Sequence, residues 1–251
     1  MDLVKKIIKE KKDCVIISPH FDDAVLSCGG LLEQLAGKTN ITIANVFTAA
    51  HDKPYTLSAK QFLKASGNIT ALDLYKEREK EDKAVLSQFP VKVINLGLQE
   101  ALFRRRKQQS FLGKFLPEFD HVYPTYRWHI VKRIAKDDYA VSELKKKLKI
   151  FKNKKRLIFA PYGIGEHVDH AIVRKVCEDL FDTVLFYSDF PYNRRLDTYG
   201  NPINNGKVYR LDPDIRKKTK LIKTYKTQFS GLFPNGKVTN HEEVYFSDKG
   251  L

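Results

Sequence analysis

Cys14-Val15-Ile16-Ile17-Ser18-Pro19-His20-Phe21-Asp22-Asp23 changes character half-way along. Its first five residues form a short apolar run rich in β-branched side chains, as in a strand buried on both faces. Pro19 stops that run because it brings no N–H to a ladder. Residues 24–36, Ala-Val-Leu-Ser-Cys-Gly-Gly-Leu-Leu-Glu-Gln-Leu-Ala, continue as a helix, with Gly37 just past its end where a left-handed turn favours glycine. The local unit is therefore strand, polar turn, helix.

The same alternation recurs on either side. Residues 3–11 predict a short helix with Leu3, Ile7 and Ile8 on one face, and Ile41 to Phe47 predicts a strand. Residues 71–88, with Leu72, Tyr75, Ala84 and Leu86 among alternating charges, predict a long amphipathic helix. Strands follow at Val91 to Leu96 and Arg156 to Ala160, a helix at 168–180, strands at 183–187 and 207–210, and a last helix from about 213 to 227. Strands separated by helices make βαβ units, so the expected class is α/β, a three-layer sandwich with a mostly parallel sheet covered on both faces. In such sheets ligands bind beyond the carboxyl ends of the strands. No repeat, low-complexity tract or linker divides the chain, so residues 1–251 are expected to form one domain. Residues 98–136 are the least regular stretch. They combine Arg104-Arg105-Arg106 with Phe103, Phe111, Phe115, Phe119, Tyr123, Tyr126 and Trp128, and are expected to form a lid or substrate-specificity region.

Composition narrows the class further. At 42% hydrophobic and 12% aromatic residues the chain can bury a core, which excludes wholesale disorder. No run approaches the roughly 18 apolar residues of a membrane span, and the N-terminus lacks the apolar block of a signal peptide. Cys14, Cys28 and Cys177 are odd in number and form no CxxC pair, which suits a reduced, cytoplasmic protein. The net charge of +15 fits nucleic acid, an anionic membrane face or an anionic small substrate. Equally, Lys145-Lys146-Lys147 and Lys152-Asn153-Lys154-Lys155-Arg156 fit solvated faces flanking a helix, since lysine is almost never fully buried.

Chemistry concentrates at two of the predicted strand ends. His20, Asp22 and Asp23 follow the first strand; His167, Asp169 and His170 follow the strand ending at Ala160. Taken singly, each has an ordinary explanation: a carboxylate at a strand-to-helix turn is commonly a helix cap, and a polar loop is commonly surface. Two such clusters at equivalent turns converge if the strands are neighbours. Histidines with carboxylates suit zinc, whose catalytic sites keep three protein ligands and one open position. The surplus ionisable groups are what hydrolysis requires: a carboxylate to take a proton from water and a donor to meet the oxyanion.

Pro19-His20-Phe21-Asp22-Asp23 with Cys28-Gly29-Gly30, and His167-Val168-Asp169-His170, resemble the two signature motifs of the N-acetylglucosaminyl-phosphatidylinositol de-N-acetylase family (PIG-L, or LmbE-like). Arg78-Glu79-Lys80-Glu81-Asp82, Leu96-Gly97-Leu98-Gln99-Glu100-Ala101 with Arg104, Tyr187-Ser188-Asp189-Phe190-Pro191-Tyr192 and Tyr225-Lys226-Thr227-Gln228 extend the likeness from about residue 13 to 230. The resemblance implies a Rossmann-like sheet and zinc-dependent removal of acetyl from an N-acetylglucosamine-type conjugate. It implies His20, Asp23 and His170 as metal ligands, Asp22 as general base, and His167, as imidazolium, holding the oxyanion or protonating the departing amine. Asp169 would orient a histidine from behind, and Arg78, Arg104 and Tyr192 would contact substrate. Arg78 could equally pair with Glu81 or Asp82 one turn on. Phe21 and Ala24 stand where the family often has Pro and Glu, and Glu100 where Asp is common; these departures bear on pocket shape and so on substrate.

Two other functions fit the same residues. Two histidines and one carboxylate also make the facial triad of non-haem iron enzymes, so Fe2+ or another divalent metal competes with Zn2+. A basic protein on an inactive scaffold could bind nucleic acid or anionic lipid through 104–106 and 145–156. Intact ligands and base favour the enzyme acting on a small amino-sugar conjugate, for which the positive charge mildly favours an anionic one, with no specific nucleic acid and no transmembrane segment expected.

Overall fold

In a computed structural model, which describes residues 2–67, 70–125, 133–195, 206–239 and 241–248, the described strands form one seven-stranded sheet. They are β1 (Asp13–Ser18), β2 (Ile41–Asn45), β3 (Val91–Asn95), β4 (Arg156–Pro161), β5 (Val184–Tyr187), β6 (Lys207–Leu211) and β7 (Glu243–Ser247), in the order β3-β2-β1-β4-β5-β7-β6. All pairings from β3 to β5 are parallel; β7 runs antiparallel to both β5 and β6. The α/β expectation holds, with a mostly parallel sheet.

Alternation along β1 assigns its two faces. Val15 and Ile17 join one core, with Ala140, Leu144 and Leu148 of one helix and Val168 to Leu180 of another. Cys14 and Ile16 join the opposite core, with Leu3, Val4 and Ile7, Leu31 and Leu32, and Val85 and Leu86. Among the described residues the covering helices are α1 (Leu3–Lys9), α2 (Asp23–Leu35), α3 (Leu57–Ala65), α4 (Ala71–Leu86), α5 (Ala140–Leu148), α6 (Val168–Leu180), α7 (Ile215–Ile222) and α8 (Lys226–Leu232). After β1 the chain moves outward to β2 and β3, then returns to add β4 on the other side of β1. The strand order thus reverses between β1 and β4, the position where open α/β sheets bind ligands.

Several expectations need correction. β7 and α3 carry no prediction. The helix expected over 213–227 is two, α7 and α8, broken at Tyr225, whose ψ of 64° is not helical. Lys145 to Lys147 do not flank a helix but form the last turn of α5. Helix α2 is kinked at Cys28 (φ −130°, ψ 17°), and the Glu243 carboxylate accepts the Gly30 and Leu31 N–H groups beyond the kink, at 2.7 and 3.0 Å. Gly30 is there for contact: a Cβ would lie 2.7 Å from that of Pro213. The described residues of 98–136 hold three 3-10 turns, at Ala101–Phe103, Phe111–Lys114 and Pro117–Asp120, and an antiparallel bridge from Arg105 to His121. Tyr126 and Trp128 lie outside the described residues.

Candidate active site

Strands β1 and β4 pair side by side, with Cys14 opposite Leu157 and Ile16 opposite Phe159. The turns at their carboxyl ends are therefore adjacent, and the two ionisable clusters meet. In the first turn, capping is done by Ser18, whose Oγ accepts the Ala24 N–H at 2.9 Å. Asp22 occupies the N-cap of α2 yet makes no cap hydrogen bond. The ordinary explanation of this carboxylate is thereby removed, and Asp22 faces the pocket instead.

His20, Asp23 and His170 each offer a ligand atom within 4.8 Å of the others. His20 Nδ1 is 3.1 Å, and His170 Nε2 3.3 Å, from Asp23 Oδ2. The far side of each ring is held by a second carboxylate. Asp169 Oδ2 lies 3.2 Å from His20 Nε2, and Asp189 Oδ1 2.6 Å from His170 Nδ1. A proton on each of those far nitrogens leaves His20 Nδ1, His170 Nε2 and Asp23 converging on one point, two nitrogens and one oxygen suited to a divalent cation. His20, His167 and Asp169 form a second close group. There, however, Asp169 Oδ1 is already paired with the Arg104 guanidinium, and a second cation would sit against that charge.

The electrostatics agree with a cation site. Burial opposes charging of the His170 ring, but Asp23 and Asp189 outweigh it and lift its pKa to about 10; Asp169 and Asp23 likewise raise His20. Burial also works against Asp23 and Asp169, yet His170 and His20 hold Asp23, and Arg104 with His20 holds Asp169, well below the usual carboxylate range. Asp22 behaves differently. Burial and then neighbouring Asp23 push it up to about 7, against the pull of His20 and Arg78. The two adjacent carboxylates are thus shifted in opposite directions.

His167 lines the same pocket but is no imidazolium. Its Nδ1 accepts the Asp169 N–H at 3.2 Å as the N-cap of α6, and burial lowers its pKa to about 4. The ring is neutral, with its proton on Nε2.

The pocket encloses about 240 Å³ and also receives Arg78, Glu100 and Tyr192. Arg78 pairs with Glu100 at 2.9 Å, not with Glu81 or Asp82. Those two acids hold α8 instead: Glu81 Oε1 accepts the Thr227 N–H at 3.0 Å, and Asp82 accepts the Tyr225 hydroxyl at 2.9 Å. Tyr192 is 39% exposed and presents its ring at right angles to His170, centroids 6.4 Å apart. Arg104, expected to contact substrate, does not line the pocket. It is fully buried behind the site, bonded to Asp138 at 2.5 Å and to Asp169, because only paired carboxylates make burial of a guanidinium tolerable. Burial raises the Cys28 thiol well above its usual value, so it is not a thiolate.

Asp189 is the residue that sequence reasoning passed over as a site member. Its position immediately beyond β5, equivalent to the turns after β1 and β4, is the signal that could have found it. Its second oxygen accepts the Gly163 and Ile164 N–H groups at 2.7 and 3.0 Å, tying the β4 turn to the histidine it orients.

Residues 15–181 match the family described as PIG-L, GlcNAc-PI de-N-acetylase. The 2'-N-acetylparomamine deacetylase of Niallia circulans is 23% identical over 263 residues, covering 95% of this chain and 91% of that protein. Among solved structures, a zinc-inhibited form of a teicoplanin deacetylase superposes with a TM-score of 0.68 at 20% identity, covering 94% of this chain and 97% of that one. The N,N'-diacetylchitobiose deacetylase of Pyrococcus horikoshii superposes with a TM-score of 0.53 at 16% identity, covering 97% of this chain and 86% of that one. With the family model spanning most of the chain and both of its ionisable turns, this protein belongs to the GlcNAc-PI de-N-acetylase (PIG-L) family of deacetylases.

Proposed function

We propose that the protein is a divalent-metal-dependent N-deacetylase that removes acetyl from an N-acetylated amino sugar or its conjugate. One observation carries this: His20, Asp23 and His170, from turns nearly 150 residues apart, converge in a pocket that also receives Asp22 and His167. The names of the family and of the Niallia relative support an N-acetylated amino sugar as the substrate class. The set of two nitrogens and one carboxylate fits zinc, and iron by the same donors. When bound, the metal would polarise the amide carbonyl and lower the pKa of its water to about 7.

The chain's own groups supply the rest. Asp22, with a pKa near neutrality, takes a proton from the attacking water. Neutral His167 donates its Nε2–H toward the oxygen that gains charge. Asp22 then passes its proton to the departing amine, so acetate and a free amine leave and the carboxylate is restored. Tyr192 and Arg78, which line the same pocket, would contact the sugar. The pocket is small beside the roughly 300–1,000 Å³ of sites for drug-sized ligands, which suits a single sugar ring. Glu100 pairs with Arg78, and Asp22 and Asp23 line the same pocket, so the pocket's own lining gives no preference for an anionic sugar.

The test is acetate release from a panel of N-acetylglucosamine conjugates by metal-reconstituted protein. Asp22→Asn is expected to retain about one metal per chain while losing at least about 100-fold in kcat, the usual size of a lost general base. Full activity in Asp22→Asn would remove the proposed role.

A further inference from the structure

We propose that the segment from Lys107 to Phe119 docks the protein on an anionic lipid membrane. Phe111, Leu112, Phe115, Leu116 and Phe119 fall within nine residues, and each is more than half exposed, Phe111 and Phe115 at 73% and 72%. Soluble proteins scatter such residues singly; a contiguous strip marks an interaction surface. Its shape is built in. The buried Asp120 carboxylate accepts the Ser110 N–H at 2.6 Å and packs where any side chain on Gly113 would stand. Polar groups are thus turned inward and aromatic ones outward, the reverse of an ordinary surface loop.

The strip joins the mouth of the pocket through α3. The Leu57 N–H donates to Glu118 at 2.8 Å, and Leu57 adds a further exposed apolar side chain. One face of α3 carries Leu57, Lys60 and Lys64, all exposed, while Phe62 of the same helix lines the pocket. Lys107 and Lys114 lie within the segment, both exposed, with Lys114 Nζ 5.6 Å from the Phe111 ring centroid and Lys107 Nζ 5.1 Å from that of Tyr139, and Lys60 and Lys64 share the exposed face of α3 with Leu57. The acid of the strip, Glu118, is engaged by the Leu57 N–H. Aromatic residues with these lysines match a headgroup layer: rings enter the acyl boundary and ammonium groups meet phosphates. A second copy of this chain fits less well, because a two-fold pairing would set the lysines against each other.

The proposal stands apart from the reaction assigned above and is tested without substrate. Wild-type protein is expected to co-sediment with phosphatidylglycerol-containing vesicles and not with pure phosphatidylcholine, and to be released by salt. Phe111→Ser/Phe115→Ser should weaken partitioning by at least about tenfold, the loss expected when buried apolar area is removed. Lys107→Gln/Lys114→Gln should weaken it by about fivefold per lysine. Circular dichroism and melting temperature should match wild type in both, since these side chains stand mostly in water. Absence of binding to anionic vesicles, or equal binding by the Phe111→Ser/Phe115→Ser variant, would overturn the proposal. So would a wild-type dimer in sedimentation velocity that this variant dissociates.

Discussion

Replacing Arg104 with methionine separates a structural arginine from a substrate-gripping one. The guanidinium is fully buried, 2.5 Å from Asp138 Oδ2, paired with Asp169 Oδ1, donating from Nε to the Gln99 carbonyl at 3.0 Å, and stacked 4.7 Å from the Phe47 ring centroid. Methionine fills much of the volume but leaves two buried carboxylates without their cation. Asp138 would keep the Tyr123 hydroxyl and the Ala140 N–H, and Asp169 the Ala101 N–H and His20. Breaking a buried pair by removing one partner costs about 3–5 kcal/mol. In a domain of this size 1 kcal/mol moves Tm by about 2–4 °C, so calorimetry should show a fall of about 6–20 °C. Arg104→Lys should fall in between, because one ammonium cannot bridge both carboxylates as the planar fork does. A Tm within about 2 °C of wild type, together with a raised KM, would refute the reasoning and return Arg104 to the substrate.

Asp189→Asn should weaken metal affinity by about 10–100-fold in chelator competition, because Asp189 fixes the tautomer and direction of His170. Lys218 and Glu243 are a buried pair at 2.7 Å. Lys218→Met should cost about 3–5 kcal/mol, while Lys218→Met/Glu243→Gln should recover a good part of that loss in urea unfolding. Asp82, raised by burial from 3.8 to about 7, binds a proton in the folded state that the unfolded chain has released, so it lowers stability as pH rises from about 4 to 7. Asp82→Asn should therefore raise Tm at pH 8, with a ceiling of about 4 kcal/mol, and the gain should vanish near pH 4.

What was legible in the sequence follows the range of the interactions. Strand β1 and helices α2 and α6 announce themselves because buried parallel strands are continuous apolar runs and helix ends carry local caps. His20 and Asp23 are three residues apart, so their partnership is local too. Bringing His170 to them needs one further inference, that β1 and β4 are neighbours, and strand alternation supplies it. The illegible residues are those whose state depends on a distant charge. Arg104, amid three consecutive arginines, reads as a substrate or anion contact until Asp138 and Asp169, 34 and 65 positions away, neutralise it. Strand β7 opens with Glu243, a residue that favours water; it is buried because Lys218 and the kinked backbone of α2 meet its carboxylate. His167 looks like a cation among carboxylates, yet burial and the rings of His20 and His170 keep it neutral. Apolar burial is additive and can be read residue by residue. Burial of charge is pairwise, so each such group becomes interpretable only once its partner is in place, and the site's proton chemistry depends on these pairings.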